Sequence, residues 1–260
     1  MNNICNIKNV AIGEGKPKIC VSVTGADDLE MLNQLDKILL HKDSDFVDVI
    51  EFRADFYRDI NDSSKLNSLL GKFLSKLSKK VFLFTIRSSM EGGENNTLSY
   101  EDITRINLSV ITNKLADMVD VEMFSGEELV KNQIEAARAN GIKIIMSNHD
   151  FDKTPDKEEI VKRLTNMQLL GADIAKIAVM PQKTEDVFSL LQATMEMKDK
   201  ETKTPLVTIS MGKLGNISRV LGEVTGSAMT FAALEGGSAP GQMPISKVGE
   251  MLKVIDECYN

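Results

Sequence analysis

Apolar residues along this chain gather in short runs, set apart by stretches in which they recur every three or four positions. The runs at 18–23, 46–52, 81–87, 118–123, 142–147, 173–179, 206–211 and, more weakly, 228–231 are rich in Val, Ile and Phe and predict strands. The patterns between them, for example at 26–40, 100–114, 127–139, 156–170 and 184–198, predict amphipathic helices. Ser99 before Tyr100-Glu101-Asp102, and Thr154-Pro155 before an acidic turn, are the expected caps; Gly71, Gly141 and Gly171 are the expected helix stops. Continuous apolar strands alternating with helices imply a parallel sheet covered on both faces. Roughly eight such units suit a closed α/β (β/α)8 TIM barrel better than an open sheet. The turn after the first strand, Ser22 to Asp28, also lacks the G-x-G-x-x-G of an open dinucleotide-binding sheet. Residues 1–17, with a Gly13-Glu14-Gly15 turn, are expected to form a short N-terminal β-hairpin that closes the barrel floor. With no linker or low-complexity tract, residues 1–260 are expected to be a single domain.

Composition narrows the class. A net charge of −7 argues against nucleic acid as a partner, and no apolar stretch approaches the roughly 20 residues that cross a bilayer. The N-terminus lacks the basic and apolar regions of a signal peptide, and Cys5, Cys20 and Cys258 are scattered and odd in number. Reduced thiols and a cytoplasmic location are expected. Two distant histidines and dispersed cysteines give no metal-ligand spacing, and there is no P-loop or Gly-x-Ser-x-Gly elbow. The expected partner is a small-molecule substrate, with no metal and no cofactor.

Lys176 changes the picture most. It lies inside Gly-Ala-Asp-Ile-Ala-Lys-Ile-Ala-Val (171–179), an apolar run in which an unpaired ammonium must lose its proton or find a partner. A neutral amine in a dry pocket condenses with a ketone or aldehyde to a Schiff base. The bland alternatives are a lysine that snorkels at the strand end or pairs with a carboxylate. Other polar residues fall at the same strand ends: Glu51 and Arg53, Arg87 and Glu91, Asp120 and Glu122, His149, Ser210 and Met211. Chemistry on a barrel sits at those ends. His149, on the strand next to Lys176, is suited to proton transfer, and Glu91 could fix its tautomer before two glycines that let the loop fold close. Arg53 and Arg87 could pair with Glu51, Asp55, Glu91 or Asp120, or hold substrate oxygens. His41 and the lysines at 72, 76, 198, 200 and 203 read as solvated surface.

The segments Glu51-Phe52-Arg53-Ala54-Asp55, Arg87 to Gly93, Met146 to Phe151, Ala175 to Ala178, Ile217-Ser218-Arg219 and Ser238-Ala239-Pro240-Gly241-Gln242 occur here in order. Through them the chain resembles the type I 3-dehydroquinate dehydratases from about Lys18 onward. The resemblance implies a barrel that dehydrates 3-dehydroquinate to 3-dehydroshikimate through a lysine imine, usually as a homodimer. It further implies Lys176 as the imine-forming lysine, His149 as the acid/base and Glu91 as its orienting partner. Glu51, Arg53 and Arg87 match positions that hold ring hydroxyls. Arg219, Ser238, Ala239 and Gln242 match the carboxylate site and final loop, and Ser22, Asp120 and Met211 match less specific pocket positions. Thr208-Ile209-Ser210-Met211 departs from members with a second methionine there, which touches packing.

Two rivals stand beside this reading. One is a class I aldolase using the same lysine on a sugar phosphate, suggested by the Gly212-Lys213-Leu214-Gly215 loop. The other is a non-catalytic ligand-binding barrel, which would have no need of a desolvated lysine beside an imidazole.

Overall fold

The computed structural model describes residues 4–95, 97–200, 204–234 and 239–259. A hairpin of β1 (Cys5–Ile7) and β2 (Val10–Ile12) leads into β3 (Lys18–Val23). There follow α1 (Asp28–Leu40), β4 (Val49–Arg53), α2 (Ser63–Lys76), β5 (Val81–Thr85), α3 (Tyr100–Thr112), β6 (Met118–Glu122) and α4 (Glu127–Asn140). The second half holds β7 (Lys143–Asp150), α5 (Lys157–Leu170), β8 (Ile174–Val179), α6 (Thr184–Asp199) and β9 (Leu206–Ser210). It ends with a single turn, α7 (Gly222–Thr225), then β10 (Met229–Ala233), β11 (Met243–Pro244) and α8 (Ile245–Tyr259).

From β3 to β9 each strand pairs in parallel with the next, and β10 returns to lie parallel beside β3, Phe231 opposite Cys20. Between β9 and β10 the ladder narrows to a bridge of Leu206 with Ser227, where Ala228 N–H donates to the Leu206 carbonyl at 2.7 Å. The Ser227 hydroxyl extends this seam by accepting the Thr208 N–H at 3.0 Å. The result is the (β/α)8 barrel that the apolar pattern predicts.

Two cores follow from the period-two alternation of side chains along each strand. Residues pointing outward, such as Ile50, Phe52, Phe82, Phe84 and Ile177, pack under the helices. Phe73 of α2 meets Phe52 edge-on at 5.0 Å and stacks on Phe82 at 5.5 Å, so its truncation to Ala would cost about 3–5 kcal/mol. Residues pointing inward, such as Cys20, Val49, Leu83, Met118, Ile145, Ile174 and Val207, fill the lower barrel.

The hairpin stoppers that lower end. Cys5, Ile7 and Ile12 join the interior cluster, and Lys8 Nζ donates to the carbonyls of Leu77 (2.8 Å) and Lys80 (3.0 Å) while pairing with Asp117 at 2.6 Å. The expected floor is present, but its turn is elsewhere. The chain reverses at Lys8 and Asn9, with Lys8 held at φ +53° by those three oxygens. Gly13 and Gly15 follow β2 and bend the chain into β3.

Smaller boundaries also differ. Phe46 belongs to a 3-10 turn (Ser44–Phe46) and β4 starts later, because Asp48 turns its carboxylate onto the Ile19 N–H at 2.8 Å. Gly71 lies inside α2, whose apolar face continues through Phe73, whereas Gly141 and Gly171 do close α4 and α5 in left-handed conformations. Asp156 caps α5 by accepting the Glu159 N–H at 2.9 Å, in place of Thr154. Ser99 caps α3 as expected, in a reciprocal box with Asp102.

Candidate active site

Towards the C-terminal strand ends the inward positions stop being apolar. Glu51 and Arg53 on β4, Asp120 and Glu122 on β6, Ser147 and His149 on β7 and Lys176 on β8 continue the inward parity of the residues beneath them. Glu51, Arg53, Arg87, Glu91, His149, Lys176, Met211, Arg219, Ala239 and Gln242 line one cavity. Phe151, Ala178, Ile209 and Phe231 provide its apolar wall.

Lys176 sits deep, opposite Ser147 of β7 and Val207 of β9, and is 4% exposed. It does not snorkel. Its Nζ lies 3.5 Å from Asp120 Oδ2 and 4.6 Å from the centre of the Phe231 ring. Burial in an apolar strand is thus answered by one carboxylate and one aromatic face.

Arg87 is the hub of the charged layer. Its guanidinium donates to Glu122 at 2.8 Å, Asp120 at 2.9 Å and Ser147 Oγ at 3.0 Å, and passes Glu91 at 3.6 Å. Burial alone would favour loss of its proton, but Asp120, Glu122 and Glu91 outweigh that and raise its pKa. Burial likewise opposes charge on Asp120, yet Arg87 and Lys176 hold its carboxyl below the usual value. Ser88 fastens Glu122 from a second side through its N–H (2.9 Å) and hydroxyl (2.6 Å).

The loop after β5 brings Glu91 onto His149. Gly92 takes φ +80°, and a Cβ at Gly93 would collide with the Arg87 carbonyl, so the two glycines are needed for separate reasons. Glu91 Oε1 accepts from Asn148 Nδ2 at 3.0 Å. Its Oε2 meets the His149 backbone N–H at 2.9 Å and ring Nδ1 at 2.8 Å. Burial, followed by the charge of Glu122, pushes the Glu91 carboxyl up to about 8. Burial, reinforced by Arg87 and Lys176, keeps the His149 ring well below the ordinary imidazole value. Both shifts remove charge from the pair, leaving an uncharged ring braced at Nδ1.

The remaining cations differ in how far they are engaged. Arg53 grips Asp55 with two parallel bonds of 2.8 and 2.7 Å. Glu51 accepts from Ser22 Oγ at 2.5 Å and Thr85 Oγ1 at 2.9 Å. Arg219, ending a 3-10 turn (Leu214–Arg219), meets only carbonyls among the described residues, Phe231 at 3.2 Å and Pro240 at 3.0 Å. Burial lowers it to about 10, which leaves it charged at neutral pH and ready for an anion.

Most of the expected site residues therefore meet. Ser22 and Asp120 are the exceptions, the first donating to Glu51 and the second pairing with Arg87 and Lys176 without lining the cavity, and Ser238 lies outside the described residues. Sequence reasoning missed Glu122 as a partner of Arg87 and Phe231 as the platform for Lys176. Both were readable in principle: the apolar-acidic alternation at 119–122 sets Glu122 beside Asp120, and Phe231 shares parity with Met229.

A sequence model described as Type I 3-dehydroquinase matches residues 19–258. The 3-dehydroquinate dehydratase of Clostridium botulinum is 44% identical over 257 residues, covering 99% of each chain. That of Listeria monocytogenes serovar 1/2a is 44% identical over 265 residues and covers both chains fully (100%). The crystal structure of the Clostridium difficile type I enzyme with covalently modified comenic acid has a TM-score of 0.94 at 40% identity, covering 99% of this chain and 100% of that one. The Geobacillus kaustophilus 3-dehydroquinate dehydratase reaches the same 0.94 at 35% identity, covering 100% of each chain. A 3-hexulose-6-phosphate synthase from Salmonella typhimurium, at 16% identity and TM-score 0.56, shares the fold alone.

Proposed function

The chain belongs to the type I 3-dehydroquinase family, and from that premise we propose that its cavity dehydrates 3-dehydroquinate to 3-dehydroshikimate through an imine on Lys176. The observation that carries this reading is a buried lysine facing the same cavity as a carboxylate-braced histidine. A β-hydroxy ketone loses water only when the carbon beside its carbonyl gives up a proton. The Lys176 amine adds to the ketone and expels the carbonyl oxygen as water, leaving a protonated imine. That cation draws in the electron pair as His149 Nε2 removes the neighbouring proton, forming an enamine. The enamine pushes out the β-hydroxyl, which leaves as water with the proton returned by His149. Hydrolysis of the imine then frees the product and restores the amine.

Glu91 orients His149 in this scheme, and Arg219 with Gln242, Ala239 and Ser238 holds the substrate carboxylate. Glu51, Arg53 and Arg87, with Ser22 behind Glu51, order the ring hydroxyls, and Met211 packs against the ring. The imine is itself the electron sink, so the scheme calls for no metal or cofactor. We read the chain as a single-domain cytoplasmic protein, in keeping with its free thiols, and as a homodimer, the state its family resemblance implies.

The test is reductive trapping. Borohydride added with 3-dehydroquinate should fix a mass adduct on the Lys176 peptide, and a parallel incubation with a sugar phosphate should not. An adduct on a different lysine, or preferential trapping of the sugar phosphate, overturns the reading.

A further inference from the structure

Asp120 has the setting of a fixed counter-charge. It is 1% exposed, and its two oxygens serve three partners on three different elements. Ser147 Oγ donates to Oδ1 at 2.6 Å, Arg87 Nη2 donates to Oδ2 at 2.9 Å, and Lys176 Nζ stands 3.5 Å from the same Oδ2. From behind, Asn107 Nδ2 holds the Asp120 carbonyl at 3.3 Å and is itself held by Gln133 at 2.8 Å. Asp120 is thus anchored at both its carbonyl and its carboxylate.

The inequality of the two Oδ2 contacts matters. Arg87 takes the short, well-formed bond, whereas Lys176 is held at the outer edge of hydrogen-bonding distance. An ammonium gripped by a dedicated carboxylate would be slow to release its proton. One held by a carboxylate already shared with an arginine is neutralised while staying able to do so. After condensation the nitrogen is again cationic, as a protonated imine, and the Phe231 ring 4.6 Å from Nζ also favours a cation there.

Resting on the reading that Lys176 forms the imine, we propose that Asp120 is its positioning residue. Asp120 sets the direction of the amine and supplies the same negative charge to the ammonium of the free site and to the protonated imine. The other charges that face this pair are Arg87 and Glu91 from the loop after β5, Glu122 on β6, His149 on β7, and Glu51 and Arg53 on β4. Asp120→Asn leaves each of these in place and keeps the side-chain shape.

The experiment measures borohydride-trapped adduct on Lys176 against pH, in the intact protein and in Asp120→Asn, with 3-dehydroquinate as the probe. An opposite charge at this range moves a titration by about 1–3 units, so loss of Asp120 should carry the rising limb of the trapping profile that far toward acid. In the same variant kcat should fall while KM changes little, because the protonated imine has lost its counter-charge. Ser147→Ala, which removes a donor from Asp120 and leaves its charge less shared, should move the limb the opposite way and by less. Circular dichroism identifies a variant that fails to fold, and Ser147→Ala then carries the test. Superimposable limbs in the folded variants and the parent overturn the role of Asp120 while leaving the imine intact. No adduct on Lys176 in the parent protein would instead refute the imine itself.

Discussion

Glu91 holds His149 at two points with a single oxygen, Oε2 lying 2.9 Å from the backbone nitrogen and 2.8 Å from ring Nδ1. Burial keeps a proton on this carboxyl up to about pH 8. While the proton stays, the carboxyl can donate it to Nδ1, and Nε2 then carries the hydrogen of the ring. Once it leaves, the carboxylate accepts Nδ1–H and Nε2 becomes a base. The value of kcat/KM should therefore rise as pH rises toward 8 and level off above it. Glu91→Gln, which cannot titrate, should lose that limb and about 10²-fold in kcat. A full pH profile of both proteins checks this, and an unchanged limb in the variant removes Glu91 from the assignment.

His149→Ala separates condensation from proton transfer. The amine of Lys176 keeps Asp120 and Phe231, so borohydride should still trap an adduct on it. Turnover should drop by about 10²–10⁴-fold, the usual contribution of an acid/base residue. Steady-state rates and mass spectrometry on the same samples read both quantities. Loss of trapping together with turnover would mean that the histidine acts before the imine forms.

Arg87→Met tests the charged layer as structure. It would leave Asp120, Glu122 and Glu91 buried with one lysine among them, a change that costs about 3–5 kcal/mol. For a chain of this size the melting temperature should fall by about 10 °C. The sign with pH is fixed. The stranded carboxyls titrate above their unfolded values, so the folded state binds the extra protons and the deficit is largest near pH 7. It should shrink as pH falls toward 5. Calorimetric scans across that range would detect a deficit that stayed constant and so rule out this origin.

Arg219 predicts a limit on binding at high pH. Burial brings it down to about 10, so it is cationic at neutrality and loses its charge as pH rises through that value. KM for a carboxylate-bearing substrate should climb there while kcat changes little. Arg219→Gln should show the raised KM already at pH 7, by about 10- to 150-fold, as befits loss of a charge-assisted bond of about 1.5–3 kcal/mol. Equal KM values at pH 7 would show that the anion is held elsewhere.

The fold was legible because each strand is apolar on both faces, a pattern that only a helix-covered parallel sheet produces. Lys176, His149 and Glu91 were legible because an amine, an imidazole and a carboxylate stand out at ends of strands that are otherwise apolar. What escaped was set by side chains reaching across the chain. The start of β4 was misplaced because Asp48 caps Ile19, and the hairpin turn because Lys8 anchors on Leu77, Lys80 and Asp117. Local spacing also left Arg53 and Arg87 with the same list of possible partners. The structure separates them, giving Asp55 to the first and Asp120 with Glu122 to the second, because these acids sit at different heights around the barrel.

The hairpin of β1 and β2 makes the barrel a blind vessel. With Cys5, Ile7 and Ile12 plugging its base, the reacting centre communicates with bulk solvent through the opposite mouth. Reactant, departing water and finished molecule must then pass the same doorway in turn. Occupancy becomes exclusive, and accumulating end-product opposes fresh reactant by simple competition for one entrance.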